Sequence, residues 1–288
     1  MVAKQRELNS DEFRKMQLME LDMIVEFDRV CRENNINYVI IAGTMLGAVR
    51  HNGYIPWDDD ADIGMLREDY ERFKEVSSSL DSKVCFFQDH TTDPSYRWGY
   101  GKLRRTGTTY IRIGQEHLKC KTGIFVDIFP LDDVPESLLG QMIQDFYCYC
   151  CRKILWSEVG RANSTGFMKL WWTLLSHISV NRVYKWLDLY IKKSKNDSPN
   201  KVRILCFNAI GKLYFKHPIE ERYGMPKVWF REREEYMFEG VKLFGSKDYD
   251  TVLKHFYNDY MTPPPVEKRG QHAPVSYIDF GDATVVDK

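Results

Sequence analysis

The sequence lacks an excess of either charge: 41 Lys+Arg meet 41 Asp+Glu over 288 residues. Sequence-independent nucleic-acid binding draws its affinity from surplus Lys and Arg on phosphates, so no nucleic-acid partner is expected. It also lacks any apolar run near the roughly 18 residues that span a bilayer. The opening Met1-Val2-Ala3-Lys4-Gln5-Arg6-Glu7 has no signal-peptide character, so a cytoplasmic location is expected. Paired cysteine spacing is lacking: the seven, an odd number, lie at 31, 85, 120, 148, 150, 151 and 206, which suits a reducing compartment rather than a disulfide framework. The cluster Cys148-Tyr149-Cys150-Cys151 has no second ligand pair to complete a zinc site, and reads as buried thiols. What remains, 43% hydrophobic and 28% charged residues, describes a globular chain able to bury roughly three-quarters of its unfolded surface.

Apolar periodicity divides that chain in two. Ser10-Asp11-Glu12, followed by apolar residues from Met16 to Cys31, predicts a capped amphipathic helix ending near Asn34-Asn35. Tyr38 to Ala42 is a short β-branched run bounded by Gly43 and reads as a buried strand. A short helix from Thr44, a strand over 60–65 and a helix over 67–77 follow. Further strands are expected at 85–88, 98–104, 108–113 and 123–129. From Glu136 the pattern turns to long helical stretches, 136–158, 165–193 and 200–215. We therefore expect an α/β core over 1–135 and a mostly helical region with a closing loop over 136–288. The Gly166–Val180 stretch is aromatic enough to touch the inner face of a membrane, but a core helix is the preferred reading. Pro263-Pro264-Pro265 make the segment around 260–272 a loop.

The chemistry is concentrated between Gly43 and Gly64. A strand, a glycine-containing turn, a helix start and an acidic strand can build a metal-dependent phosphate site. Gly43, Thr44 and Gly47 would let backbone N–H groups at the helix start receive a phosphate, with the Thr44 hydroxyl assisting. On an extended strand Asp60 and Asp62 project from one face, with Asp58 in parity and Asp59 opposed. Two carboxylates side by side repel unless a cation lies between them, and oxygen-only ligands favour Mg²⁺ or Mn²⁺. Asp127, alone in the apolar run Gly123-Ile124-Phe125-Val126-Asp127-Ile128-Phe129, needs a metal or a basic partner to be buried. Asp132 and Asp133 read as turn residues capping the next helix. For the anionic substrate, Arg50 follows the glycine turn, Lys102 and Arg104 share a strand face with Arg105 pointing away, and Lys268, Arg269 and His272 lie in the proline-stiffened loop.

These residues carry a family likeness. The pattern GT-x-LGA-x-R-x-x-G-x-IPWDDDAD-I-G, the later G-IFVDIFPLD and the closing Phe256-Tyr257-Asn258-Asp259-Tyr260-Met261 with its prolines and KRGQH resemble the LicD family, relatives of fukutin with a nucleotidyltransferase-like mixed sheet. The resemblance runs from about 25 to 275. It implies a metal-dependent transferase moving a phospho-alcohol, most typically phosphocholine from CDP-choline or a related CDP-alcohol, onto a glycan hydroxyl of a teichoic acid or lipopolysaccharide precursor. By that similarity Asp60 and Asp62 match the metal-binding pair and Asp127 the third acid. Gly43-Thr44 stands where the general nucleotidyltransferase turn has Gly-Ser.

On this expectation Asp127 either ligates a cation or takes the acceptor proton, and the sequence leaves both roles open. A choline headgroup would call for aromatic faces, for which Trp57, Trp98, Tyr100 and Trp229 are available. Two rivals use the same residues: transfer of a nucleoside monophosphate from a triphosphate onto a small molecule, and an inactive scaffold of glycan assembly.

Overall fold

A computed structural model describes residues 6–195, 200–207, 218, 221–270 and 275–282. Helix α1 (Ser10–Glu33) is the first element. Its cap is Asn9, one residue before the expected Ser10: the Asn9 side chain accepts from the Glu12 N–H, and Glu12 returns the bond in a capping box. Strand β1 (Val39–Ile40), helix α2 (Ala42–His51), strand β2 (Asp62–Leu66) and helix α3 (Arg67–Val76) follow. Next come strands β3 (Cys85–Gln88), β4 (Gly101–Arg105), β5 (Thr109–Arg112) and β6 (Phe125–Asp133). Three helices come next, α4 (Leu138–Ala162), α5 (Gly166–Ser176) and α6 (Val180–Ser194). The expected single helix over 165–193 is thus broken at residues 177–179.

The remainder returns to strands. β7 (Lys201–Arg203) and β8 (Met225–Pro226) are short, so the helix expected from 200 begins as strand, while 208–217 lie outside the described residues. After α7 (Val228–Arg231), β9 (Arg233–Phe238) and β10 (Val241–Ser246) form a hairpin. Its two-residue turn, Glu239-Gly240, has positive φ at both positions, the geometry whose twist matches paired strands. Helix α8 (Tyr249–Tyr257) and strand β11 (Val275–Asp279) complete the described chain.

A nine-stranded mixed sheet organises these elements in the order β3-β4-β6-β2-β1-β10-β9, with β7 and β8 attached through β6. The 233–246 hairpin therefore extends the sheet that the first half of the chain begins, pairing β10 in parallel with β1. β11 pairs with β5 in a separate ribbon.

One sheet face is closed by α1. Met16, Met19, Met23, Ile24 and Phe27 are buried with Ile63, Leu103, Val126 and Ile128 in the main core. Strand alternation then places Asp62, Lys102, Phe125 and Asp127 on the opposite face. Arg105 points back to α1 and pairs with Asp22 at 3.5 Å, as its parity requires. The acids thus stand on a rigid platform rather than a mobile loop.

Candidate active site

Three ionisable residues lie in register across adjacent strands. Lys102 on β4 is directly opposite Asp127 on β6, and Asp127 is directly opposite Asp62 on β2. Paired residues share a face, so one cation and two carboxylates form a row across the sheet. The Lys102 ammonium bonds the Asp127 carboxylate, which supplies the basic partner that a buried acid needs. Burial first, then Arg104 and Arg112, pulls the Lys102 pKa down to about 7, against the pull of Asp127.

Asp60 precedes β2 and is drawn into the same field. Its burial, with Asp58, Asp127 and Asp59 beside it, raises its pKa to about 7. Asp62 is raised too, by burial and then by Asp60, Asp127 and Asp58. The strand begins only at Asp62, so the alternation expected over 58–60 does not operate there. Asp58, Asp59 and Asp60 instead each bring an oxygen within 4.8 Å of the others, Asp59 included. Carboxylates packed until one holds its proton near neutrality fit a hard divalent cation.

Helix α2 supplies the wall behind them. Gly43 and Thr44 fall in its first turn, where N–H groups have no partner within the helix. Thr44 is committed to the acid strand: its hydroxyl oxygen accepts from the Asp62 N–H at 2.8 Å. Gly43 is small because of Asp58, whose Oδ2 would lie 2.2 Å from a Cβ there. Gly47 lies further along the helix with its Cα against the Gly53 carbonyl, where a Cβ would come within 2.4 Å. The two glycines thus answer close packing, and neither needs positive φ.

Cationic groups flank the row on one side. Lys102, Arg104 and Arg112 all lie over the Phe125 ring, at 3.7, 5.4 and 4.9 Å from its centroid, confirming the shared face of Lys102 and Arg104. Arg104 also donates to Gln88 Oε1 and the Gly123 carbonyl, which fixes its position. Arg112 was not singled out from sequence. Burial opposes its charge, but Asp127, Tyr100, Tyr110 and Asp60 outweigh that and leave its pKa above the ordinary value. A small cavity of about 50 Å³ is lined by these three cations with Trp98, Tyr100 and Tyr110. A larger one of about 370 Å³ continues past Tyr100 to Arg97, Arg152 and Trp156.

The opposite flank comes from α2 and the segment after α8. Arg50 donates to the Tyr260 carbonyl at 2.6 Å, and Arg269 lies 4.5 Å from the Trp57 ring centroid. Tyr257, quoted only as part of the closing pattern, is 38% exposed over the whole residue but turns its phenol toward the acids: desolvation there and then Asp62, Asp58 and Asp60 push it up, with Arg50 opposing. No local sequence signal marks Tyr257 or Arg112, because both arrive by tertiary packing. His272 lies outside the described residues.

Other sequence candidates are structural. Asp132 is no turn residue but the last buried acid of β6, bound by Arg67 at 2.7 and 2.8 Å; Asp133 pairs with Lys227; the α4 cap is Ser137. Trp229 is buried in a core cluster. Cys148 and Cys151 are buried thiols, raised by desolvation to about 12 and about 11.

Residues 35–153, which hold the whole acid row and the α2 glycines, match the family model described as LicD/FKTN/FKRP, nucleotidyltransferase domain. Over those residues the chain is similar to the LicD family. A LicD relative, the lipopolysaccharide cholinephosphotransferase LicD of Haemophilus influenzae, is 27% identical over 269 residues, 90% of this chain and 95% of that protein. Local similarity extends to two uncharacterised Rickettsia proteins. One, of R. typhi, is 57% identical over 44 residues, 15% of this chain and 14% of its own length. The other, of R. prowazekii, is 35% identical over 104 residues, 36% and 35% of the two lengths.

Proposed function

We propose that this protein transfers phosphocholine from CDP-choline, or the corresponding phospho-alcohol from a related CDP-alcohol, to a hydroxyl of a lipopolysaccharide or teichoic acid precursor. The observation that carries the reading is the Lys102–Asp127–Asp62 row with Asp60 at its end, facing a pocket of arginines and aromatic rings. Similarity to a lipopolysaccharide cholinephosphotransferase over 90% of the chain supports the choice of donor and acceptor.

Asp60, Asp62 and Asp127 would hold the divalent cation, Mg²⁺ or Mn²⁺, which when bound would offset the negative charge of the donor diphosphate. Lys102 and Arg112 present positive charge to the same phosphates. The acceptor oxygen forms the new bond to the choline-side phosphorus, the phosphorus–oxygen bond to CMP breaks, and the hydroxyl proton passes to a carboxylate of the row. Asp127, oriented by the Lys102 ammonium, serves either as that proton acceptor or as a ligand of the cation, and an Asp127→Asn variant that still binds donor and cation but fails to transfer would favour the first role. Trp98 and Tyr100 line both cavities beside the row and offer aromatic faces to a quaternary ammonium.

The test is incubation of the purified chain and Mg²⁺ with a panel of CDP-alcohols and nucleoside triphosphates, with a glycan acceptor. Release of CMP from CDP-choline supports the reading. Pyrophosphate from a triphosphate, with CDP-alcohols inert, would replace it by nucleotidyl transfer, and no release from any donor would leave only the scaffold.

A further inference from the structure

Helix α5 departs from the core helix expected for its sequence. Among its residues only Trp172 is fully buried, wedged against the bare Cα of Gly160 on α4. Phe167, Leu170 and Leu174 are 78%, 57% and 59% exposed and stand three and four residues apart, on one side of the helix. Helix α4 shows a second stripe of the same kind, in which Leu139, Ile143 and Phe146 are 67%, 52% and 69% exposed. Lys153 joins the two helices, lying over the Tyr149 ring of α4 and the Trp172 ring of α5. Apolar surface of this extent marks an interaction site rather than ordinary scatter.

Charge decides what covers it. Residues 138–195 hold nine Lys and Arg against three Asp and Glu, in a chain whose total charge is zero. Two of the three acids are already paired, Asp145 with Arg203 and Glu158 with Arg97. Arg161, Lys169, Arg182, Lys185, Lys192, Lys193 and Lys195 are exposed. A second copy of the chain docking symmetrically would bring this positive surplus against itself. An anionic lipid surface would take both the rings and the charge. No helix among the described residues is long and apolar enough to cross a membrane.

We infer that α4, α5 and α6 dock the protein on an anionic membrane, with the apolar side chains of α4 and α5 in the headgroup region and the exposed lysines and arginines of the three helices on lipid phosphates. The 370 Å³ cavity runs from Arg152 and Trp156 of α4 to Tyr100 beside the acid row, so docking sets one mouth of the site near the lipid surface. The docking stands on the surface alone and does not depend on which alcohol or glycan is transferred.

The experiment is sedimentation of the full chain with phosphatidylcholine vesicles, with and without phosphatidylglycerol, at low and high salt. Binding to the anionic vesicles that weakens with salt is expected. The combined variant Phe167→Ser, Leu170→Ser and Leu174→Ser should bind at least about tenfold more weakly with an unchanged melting curve. Should that variant fail to fold, Lys169→Glu with Lys192→Glu and Lys193→Glu changes only exposed side chains, and must show the same loss. The inference is overturned if the wild-type chain ignores anionic vesicles. It is equally overturned if a folded variant binds them as well as the wild type, or if the wild-type chain dimerises in solution through a face that the serine variant abolishes.

Discussion

Lys102 and Asp127 face each other across the β4–β6 ladder, ammonium bonded to carboxylate, both almost fully buried. That pair is the only direct ion pair within the acid row among the described residues, and it ties fold to chemistry. Replacing Lys102 with Met should leave an uncompensated carboxylate in the sheet and cost about 3–5 kcal/mol. Lys102→Met combined with Asp127→Asn should recover much of that stability while transfer stays abolished. A denaturant double-mutant cycle measures the coupling, and additive losses would show that the two groups do not depend on each other.

Asp60→Asn and Asp62→Asn should each lower transfer by at least about a hundredfold, because each removes a charge that the phosphate chemistry requires. Neither should weaken the apo fold. Burial first, and then repulsion among the acids, raises the pKa of both, so a neutral amide relieves about 1 kcal/mol and would raise the melting temperature by about 2 °C. Normal CMP release from either variant would remove these residues from the site.

Without divalent cation, stability should fall as pH rises from about 4 to about 7. Asp60 is raised to about 7, and Glu20 is raised by burial and then by Asp60, Asp59 and Asp58. A carboxyl with its pKa raised on folding binds more protons folded than unfolded, so its stabilisation is full below the unfolded pKa and lost through the folded one. Glu20→Gln should flatten that slope and raise the melting temperature at pH 8. A melting series across pH, wild type against variant, checks it, and identical slopes would contradict the assignment.

The two glycines of α2 should respond differently to alanine. At Gly43 the obstacle is the Asp58 carboxylate, a side chain that can move, so Gly43→Ala should disturb activity more than stability. At Gly47 it is the Gly53 carbonyl, fixed backbone, so Gly47→Ala should cost about 1–3 kcal/mol. Thermal melts beside CMP assays separate the two, and equal effects at both positions would refute the distinction.

The Lys102/Arg104 face was legible because it follows from alternation along a strand, and Asp127 because a lone acid in an apolar run needs a partner; the Asp60/Asp62 alternation was not, since β2 begins only at Asp62. The crossing of three strands at one level was not, since the β2–β6 and β4–β6 registers are fixed by the whole core. Arg112 and Tyr257 escaped for the same reason: their neighbours in the chain say nothing of the acids they approach. The Gly43 and Gly47 packing was hidden because a glycine against a carboxylate and a glycine in a phosphate turn look alike in one dimension. The hairpin around Glu239-Gly240 was missed, because 136–288 was expected to be mostly helical and nothing local told that this pair would extend the sheet of the first half.

The parallel pairing of β2 with β6 makes the acid row an all-or-nothing object. A slip of one position along β6 would set Val126 or Ile128 beside Asp62 and turn Asp127 toward the methionines of α1. A chain with an unfinished or misaligned sheet would therefore hold none of the row that the proposed transfer needs.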